Sequence, residues 1–210
     1  MVKGPPRAGE DDAGLVDRLR AGDRAAFAAL VGRDAGSLLR VARGLVRDPA
    51  AAEELVQETW LALLTGLDGF EGRSSLRTWL FQVLVNKART RLARDGRVVP
   101  FSAIEAPGGD TVEPGRFDAD DAWNDAPSTW SDENPERIAL GAETRAAIEA
   151  CIAELPEAQR AVITLRDIEE LDAAEICNLL CISVTNQRVL LHRARAKVRL
   201  ALEKRLGGVR

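Results

Sequence analysis

The sequence has a single histidine, His192, no tyrosine and only three cysteines among its 210 residues. A zinc site usually needs four Cys, His or acidic ligands close together, and this composition offers no obvious set. The sequence contains neither an H-E-x-x-H motif nor a phosphate-binding glycine loop. We therefore expect no metal, no cofactor and no enzymatic activity. An odd number of cysteines without an export signal favours free thiols over disulfides, and we predict Cys151, Cys177 and Cys181 as buried free thiols.

Long apolar runs are also missing. No stretch approaches the roughly 20 apolar residues that a membrane-spanning helix requires. The first ten residues are polar and lack the apolar segment of a secretion signal. Hydrophobic residues make up 46% and charged residues 30%, which is typical of a soluble globular protein. We expect a cytoplasmic protein with no membrane contact of its own.

The net charge of −4 argues against nucleic-acid binding, but the charge is unevenly distributed along the chain. Residues 1–100 contain 16 Lys and Arg against 13 Asp and Glu, and residues 137–210 contain 12 against 10. Residues 101–136 between them contain 1 against 10. The last 27 residues, 184–210, are strongly basic, with Glu203 as their only acidic residue. This distribution predicts two domains, over residues 1–100 and 137–210.

The acidic segment 101–136 contains prolines and paired glycines and shows no sustained apolar periodicity, so we predict a flexible linker. Trp123 and Trp130 are unusual in a spacer, because an indole side chain contributes most when it is buried. They could dock on a partner or fold back on one of the domains. The sequence leaves both possibilities open.

Apolar residues recur every three or four positions on both sides of the linker, which predicts an all-α fold of two small helical domains. In the first domain the spacing predicts four helices before residue 65. Two are centred on Leu15–Leu19 and Phe27–Val31, a third covers residues 37–46, and a fourth begins at Pro49. Asp48 is a suitable cap for this last helix, and Pro49 fits its first turn.

A glycine-spaced loop follows over residues 65–73 and ends at Ser74 or Ser75, either of which can cap a further helix. Apolar residues from Leu76 to Leu84 give this helix one buried face. Beyond Val85 that face gives way to basic residues, so the helix is predicted to leave the core.

The second domain ends in a pattern typical of a helix-turn-helix. Asp172 and Glu175 form a capping-box signature at the start of a short helix. Residues 181–183 then make a brief turn, and Ser183 caps a long final helix that runs to about Leu206. Four residues of this helix share one face that we predict to be buried, namely Gln187, Leu191, Ala194 and Val198.

The opposite face of the final helix is basic and suited to DNA. Its residues can read guanine edges, contact a thymine methyl group and bind phosphate. They are Arg188, Val189, His192, Arg193, Arg195 and Lys197. A generic amphipathic helix with a solvated basic face is the alternative interpretation, but the preceding turn favours DNA binding.

Two pairs of segments resemble one protein family. Residues 48–60, DPAAAEELVQETW, and 70–80, FEGRSSLRTWL, resemble the second conserved region of extracytoplasmic function (ECF) sigma factors. Residues 155–160, LPEAQR, and 191–195, LHRAR, resemble the fourth region of that family. The two matches are independent and occur in the family's order.

The resemblance implies a sigma factor of the sigma-70 family with core RNA polymerase, promoter DNA and an anti-sigma factor as partners. The first domain would bind the polymerase clamp and melt the minus-ten element, and the outward face of the final helix would read the minus-thirty-five element. The implied polymerase-binding residues are Glu54, Leu55, Gln57 and Glu58. The implied minus-ten residues are Arg73, Ser74, Ser75, Arg77, Trp79, Asn86 and Lys87, although the position of Trp79 also fits the core.

The sequence departs from the family at Gln187, where an aliphatic core residue is usual, and at Leu190, where a basic residue is usual. A stand-alone helix-turn-helix regulator is the alternative function. It would explain the C-terminal segment but would leave residues 48–60 and the basic helix after Ser75 without a role.

Overall fold

A computed structural model describes residues 10–94 and 135–206, apart from the side chains of residues 10, 11, 13, 135–143, 203 and 206. The helices are α1 (Glu10–Arg20), α2 (Arg24–Leu45), α3 (Pro49–Gly66), α4 (Leu76–Arg94), α5 (Pro135–Ala153), α6 (Glu157–Ile163), α7 (Ala173–Leu180) and α8 (Val184–Leu206). A 3₁₀ turn, Leu67–Gly69, follows α3, and a π-helical turn, Thr164–Ile168, follows α6. The described ranges contain no strand, which confirms the all-α prediction. None of these helices is both long and apolar enough to cross a bilayer. Trp123 and Trp130 lie outside the described residues.

The first domain has three helices before residue 67 instead of the predicted four. The segments predicted as separate helices around Phe27 and over residues 37–46 form one continuous helix, α2, of 22 residues. Gly36 inside a helix costs about 1 kcal/mol, whereas full burial of one leucine contributes about 1.5–3 kcal/mol. Leu30 and Leu38 are both buried on α2, so packing outweighs the local propensity to break the helix.

Side-chain caps fix several helix starts. Asp23 accepts hydrogen bonds from the backbone N–H groups of Ala25 and Ala26 at the start of α2, and Asp48 accepts one from Ala50 at 3.2 Å. The bond from Ala26, followed by that from the Arg18 side chain, holds the pKa of Asp23 below its ordinary value. The Asp48 cap confirms the prediction made from the sequence.

The predicted boundaries of the second domain's last two helices are also confirmed. Asp172 and Glu175 form a reciprocal capping box at α7, with bonds of 2.7 and 3.1 Å. Ser183 accepts a hydrogen bond from the backbone of Asn186 at 3.1 Å at the start of α8. Local sequence patterns therefore set the geometry of the helix-turn-helix.

The N-terminal bundle, α1–α4, and the C-terminal bundle, α5–α8, pack directly against each other. Helix α2 contacts α6 and the π-helical turn, and α4 contacts α7. The backbones come close at Gly44, where a Cβ atom would lie 3.6 Å from the Cα of Ala161. Arg160 is buried beside it and donates from Nε to the Gly44 carbonyl at 3.2 Å, and this burial lowers the pKa of Arg160.

The three cysteines occupy different environments. Cys151 is buried, as predicted, but Cys177 is half-buried and Cys181 is exposed, so the prediction of three buried thiols is wrong for these two. Cys181 ends α7 in the left-handed conformation, with φ 51°, and belongs to the surface turn of the helix-turn-helix. Burial raises the pKa of the Cys177 thiol. Within the described residues, no group of three or more Cys, His, Asp or Glu is placed to hold a metal.

Candidate nucleic-acid interface

Helices α7 and α8 are joined by a tight turn. The backbone N–H groups of Cys181 and Ile182 both donate to the carbonyl of Cys177, which closes the end of α7. Residues 181–183 separate the two helices, the predicted length. This arrangement leaves one side of α8 open to solvent.

The buried and exposed faces of α8 follow the predicted assignment. Gln187, Leu191, Ala194 and Val198 are all buried. Leu190 is also buried, with 1% of its surface exposed, so an apolar residue fits the position where the family usually has a basic one. On the predicted DNA face, Arg188, Val189 and Lys197 are exposed, and His192, Arg193 and Arg195 are half-buried.

The arginines of this face differ in how they are held. Arg195 donates from Nε and Nη2 to the two carboxylate oxygens of Asp167 at 2.9 and 2.7 Å. This bidentate pair fixes the Arg195 guanidinium against the π-helical turn that contains Asp167. Arg188 and Arg193 have no hydrogen bond or ion pair with any residue that the structure describes, so their donor groups are available to a ligand.

A cleft of about 370 Å³ between α3 and α4 brings together residues from two predicted sites. Asn86 and Lys87, predicted for the minus-ten element, line it together with Glu58, predicted for polymerase. Lys87 lies 3.4 Å from Glu58, and Arg91 forms an ion pair with Glu54 one turn away. The cleft has basic groups on its α4 side and the carboxylate of Glu58 on its α3 side, with Glu54 paired to the lining residue Arg91.

The prediction of site residues missed part of this cleft. Thr90, Arg91 and Arg94 also line it, although none was among the predicted site residues. Arg91 and Arg94 lie four and seven positions after Lys87, so helical spacing places all three on one face. This helical spacing is the sequence signal that could have added Arg91 and Arg94 to the predicted site.

Of the four predicted polymerase-binding residues, Leu55 differs from the others. Glu54 and Gln57 are exposed and Glu58 is half-buried, so all three can meet a partner. Leu55 is 1% exposed and belongs to the hydrophobic core. Its side chain stabilises the N-terminal bundle and offers almost no surface to polymerase in this structure.

The loop from Gly69 to Ser75 carries three of the predicted minus-ten residues. Arg73 and Ser74 are exposed, and Arg73 pairs with Glu71 at 3.0 Å. Ser75 caps α4 by accepting a hydrogen bond from the backbone N–H of Thr78 at 3.0 Å, which settles the choice between Ser74 and Ser75.

An aromatic contact joins this loop to α4. The half-buried ring of Trp79 meets Phe70 edge to face, with the ring centroids 5.8 Å apart. An edge-to-face pair of this kind stabilises both rings beyond their buried area. The contact fixes the position of the loop's aromatic end and leaves only part of the indole accessible.

Arg77 lies apart from the other predicted minus-ten residues. Its Nη2 donates to Ser37 at 3.1 Å and also to Glu169 of the C-terminal bundle, and its guanidinium lies over the ring of Phe81. The structure therefore divides the predicted minus-ten residues among the loop, the interface between the bundles and the α3–α4 cleft.

The comparisons with known proteins agree with the two bundles. Residues 30–98 match sigma-70 region 2, and residues 145–198 match sigma-70 region 4. The RNA polymerase sigma-H factor of Pseudomonas aeruginosa is 32% identical over 194 residues, which cover 92% of this chain and 95% of that protein. The ECF RNA polymerase sigma-E factor of Escherichia coli K12 is 31% identical over 184 residues, which cover 88% of this chain and 90% of that protein.

Two solved structures have a similar fold. CnrH in complex with the cytosolic domain of CnrY has a TM-score of 0.55 at 24% identity and covers 93% of this chain and 99% of its own. The sigma factor RpoE of Bartonella quintana, in complex with the anti-sigma factor NepR, has a TM-score of 0.54 at 19% identity and covers 84% and 96%. Because two region matches, relatives over 30% identical and the helical architecture agree, this chain belongs to the ECF group of the sigma-70 family of RNA polymerase sigma factors.

Proposed function

We propose that this protein is a non-catalytic subunit that directs core RNA polymerase to promoters and promotes DNA melting. One observation carries the proposal: a region 2 bundle and a helix-turn-helix with a basic outward face occur in the same chain, in that order. A stand-alone regulator would use the second bundle and leave the first without a role. The protein is expected to act in the cytoplasm, where polymerase and DNA are present.

The N-terminal bundle acts at the minus-ten element in this proposal. A base that leaves the duplex needs a pocket, and the strand that carries it needs nearby cations. The exposed loop residues Arg73 and Ser74 are the candidates for binding the base. Lys87, beside Asn86 in the α3–α4 cleft, supplies a cation for the strand. Ser75, Trp79 and Arg77 are placed to shape these surfaces, although the Nη2 of Arg77 is engaged by Ser37 and Glu169 while the two bundles are packed.

The C-terminal bundle reads the minus-thirty-five element through the outward face of α8. Arg188 and Arg193 are the best candidates for base contacts, because each can present a two-pronged donor to guanine. Lys197, near the middle of α8, suits a phosphate contact, and Val189 and His192 lie on the same face. Arg195 can reach DNA only if it leaves Asp167 or contacts both.

The acidic side of the α3–α4 cleft binds the polymerase clamp. Glu54, Gln57 and Glu58 project from one stretch of α3, and carboxylates there would repel DNA phosphate. A protein surface with complementary positive charge is the better partner.

An anti-sigma factor is a further expected partner. The CnrH and RpoE structures are complexes, with CnrY and with the anti-sigma factor NepR respectively. In this chain the two bundles pack against each other, and an inhibitor that stabilises this form would keep Arg77 bound to Glu169. Control by synthesis alone is the alternative. Affinity purification from the native cell while target promoters are silent would test it, because recovery of polymerase subunits alone would count against an inhibitor.

Run-off transcription with core polymerase on a library of genomic fragments tests the main proposal. The full chain should co-elute with core polymerase and produce a small set of discrete transcripts. A stand-alone regulator would instead bind promoter fragments tightly by itself, fail to co-elute and leave core polymerase without specific products. The transcripts also supply a promoter for the experiments below.

A further inference from the structure

Helix α1 contacts both ends of the loop that joins α3 to α4. At the loop's start, Arg20 donates from Nη2 to the carbonyl oxygens of Phe70 at 2.8 Å and Leu67 at 3.3 Å. At its end, the Oδ2 atom of Asp12 accepts a hydrogen bond from the backbone N–H of Leu76 at 2.8 Å. Leu76 is the first residue of α4, 64 positions after Asp12.

These contacts satisfy backbone groups that the local sequence leaves open. The first N–H groups of a helix have no partner within the helix, and Ser75 takes only that of Thr78. Asp12 takes the N–H of Leu76 from outside the loop. Between the two fixed ends, Gly72 adopts a left-handed conformation with φ 71°, and its neighbours Arg73 and Ser74 are exposed.

We infer that Asp12 and Arg20 are positioning residues for promoter melting: helix α1 holds the loop over residues 70–75 in the shape that captures the unstacked base. The inference rests on the proposed function of that loop. Neither residue belongs to the predicted minus-ten set, and the carboxylate of Asp12 would repel a phosphate. A loop that is already ordered loses less conformational entropy when it binds a strand. The bonds from Asp12 and Arg20, here called the α1 brace, therefore raise affinity without touching DNA.

If Asp12 and Arg20 only stabilised the fold, their loss would disturb α4 and with it the binding of core polymerase. Helix α4 is anchored by Leu76, Leu80 and Leu84, which are all fully buried, so it should stay folded without the bond to Asp12. Loss of the brace should therefore weaken strand capture and leave the binding of core polymerase unchanged. The contacts of α1 face the loop, while Glu54, Gln57 and Glu58 lie on α3.

The test uses holoenzyme assembled from core polymerase and the full chain with Asp12→Ala, Asp12→Asn or Arg20→Ala. Two measurements are made on a promoter recovered by run-off transcription. The first is the affinity of the holoenzyme for a fluorescent single-stranded oligonucleotide of the non-template minus-ten region. The second is the permanganate reactivity of thymines in duplex promoter DNA. Asp17→Ala is the matched control. Asp17 is exposed on the same helix, lines a second cleft together with Asp12, Arg20 and part of the loop, and makes no bond to the loop. Its side chain is 80% exposed and reaches Arg20 only at 4.0 Å.

We expect Asp12→Ala and Arg20→Ala to weaken strand affinity about fivefold, the fold-change that corresponds to the stabilisation by one hydrogen bond being lost from the ordered loop. They should lower thymine reactivity in parallel. Asp12→Asn keeps an oxygen acceptor and should recover most of the loss, and Asp17→Ala should match the wild type. Affinity for core polymerase should be the same for all four variants.

Wild-type strand affinity in both Asp12→Ala and Arg20→Ala would overturn the inference. An equal loss in Asp17→Ala would also overturn it, because the effect would then come from charge in the cleft. Failure of Asp12→Asn to recover strand affinity would argue against the hydrogen bond as the cause. If the wild-type holoenzyme itself neither bound the strand nor opened a promoter, the proposed function would be wrong and the inference would fall with it.

Discussion

Arg40 of the N-terminal bundle donates from Nε to the carboxylate of Glu169 in the C-terminal bundle at 2.8 Å, across 129 positions of sequence. The Glu169 side chain is completely buried and also accepts from Arg77. One carboxylate thus joins α2 and α4 to the segment that follows α6. Other polar contacts cross the same interface, among them those from Thr78 to Glu175 at 3.0 Å and from Arg47 to Glu157 at 3.3 Å.

We predict that Glu169→Gln loosens this interface. The amide removes the charge that holds Arg40 and Arg77 together, and the two guanidinium groups then repel each other. Breaking a buried ion pair costs several kcal/mol, but both arginines are about 40% exposed, so we expect a loss of about 1–2 kcal/mol. Small-angle scattering should give a larger radius of gyration, and urea denaturation a lower midpoint. Glu170→Gln, at the exposed neighbouring carboxylate, is the control, and equal values for both variants would contradict the prediction.

A steric change at the interface should have the same effect without altering charge. At Gly44 a Cβ atom would lie 3.6 Å from Ala161 and 3.7 Å from Thr164, so alanine would just fit and the longer side chain of leucine would not. We predict that Gly44→Leu separates the bundles and increases the radius of gyration. Gly32, also on α2, has nothing within 4 Å, and Gly32→Leu should instead raise helix stability by about 0.5–1 kcal/mol. Equal scattering curves for the two variants would show that the bundles do not pack through Gly44.

The sequence predicted most of what depends on neighbouring residues. The caps at Asp48, Asp172 and Ser183 and the buried face of α8 follow from spacing within one helix, and the structure confirms them. Contacts between distant segments could not be read in this way. The periodicity of α4 does not reveal that Arg77 meets Glu169, which is 92 residues away.

The same limit applies inside the predicted sites. Motif resemblance placed Leu55 among the polymerase-binding residues because its neighbours in sequence are there, but its side chain points into the core. The role of α1 was also hidden, because the bond from Leu76 to Asp12 crosses 64 positions and no pattern in either segment signals it. Local chemistry fixes which residues a helix exposes, and the packing of helices decides what they meet.

We predict that Arg188 and Arg193 each specify one base of the minus-thirty-five element. Both lie on the outward face of α8, and neither is held by another described residue. Replacing either with alanine should cost about 1–3 kcal/mol at a single base position and relax specificity there. Binding of the holoenzyme to a set of promoters with single substitutions measures this. Lys197→Ala is the comparison, because loss of a phosphate contact should weaken binding to all sequences equally. A uniform loss in Arg188→Ala and Arg193→Ala would identify those residues as phosphate contacts too.

The acidic side of the α3–α4 cleft provides the last prediction, which concerns polymerase assembly. We predict that the double variant Gln57→Ala and Glu58→Ala stays folded but binds core polymerase at least about tenfold more weakly. This magnitude corresponds to about 1.4 kcal/mol and follows if both side chains are among the minority of interface residues whose truncation costs about 1 kcal/mol or more. Neither side chain belongs to the core, so circular dichroism and the thermal midpoint should remain close to the wild type.

Glu53→Ala is the matched control for this double variant, because Glu53 is exposed on the same helix and lies outside the predicted polymerase set. The affinity of labelled core polymerase is measured for each variant, and only the double variant should bind more weakly than the wild type. The loss of Glu58 also releases Lys87, its partner at 3.4 Å, and a free lysine should strengthen binding to single-stranded DNA. Weaker polymerase binding together with equal or stronger DNA binding would therefore assign this side of the cleft to protein. Normal polymerase binding together with a change in DNA affinity alone would assign it to DNA and refute the prediction.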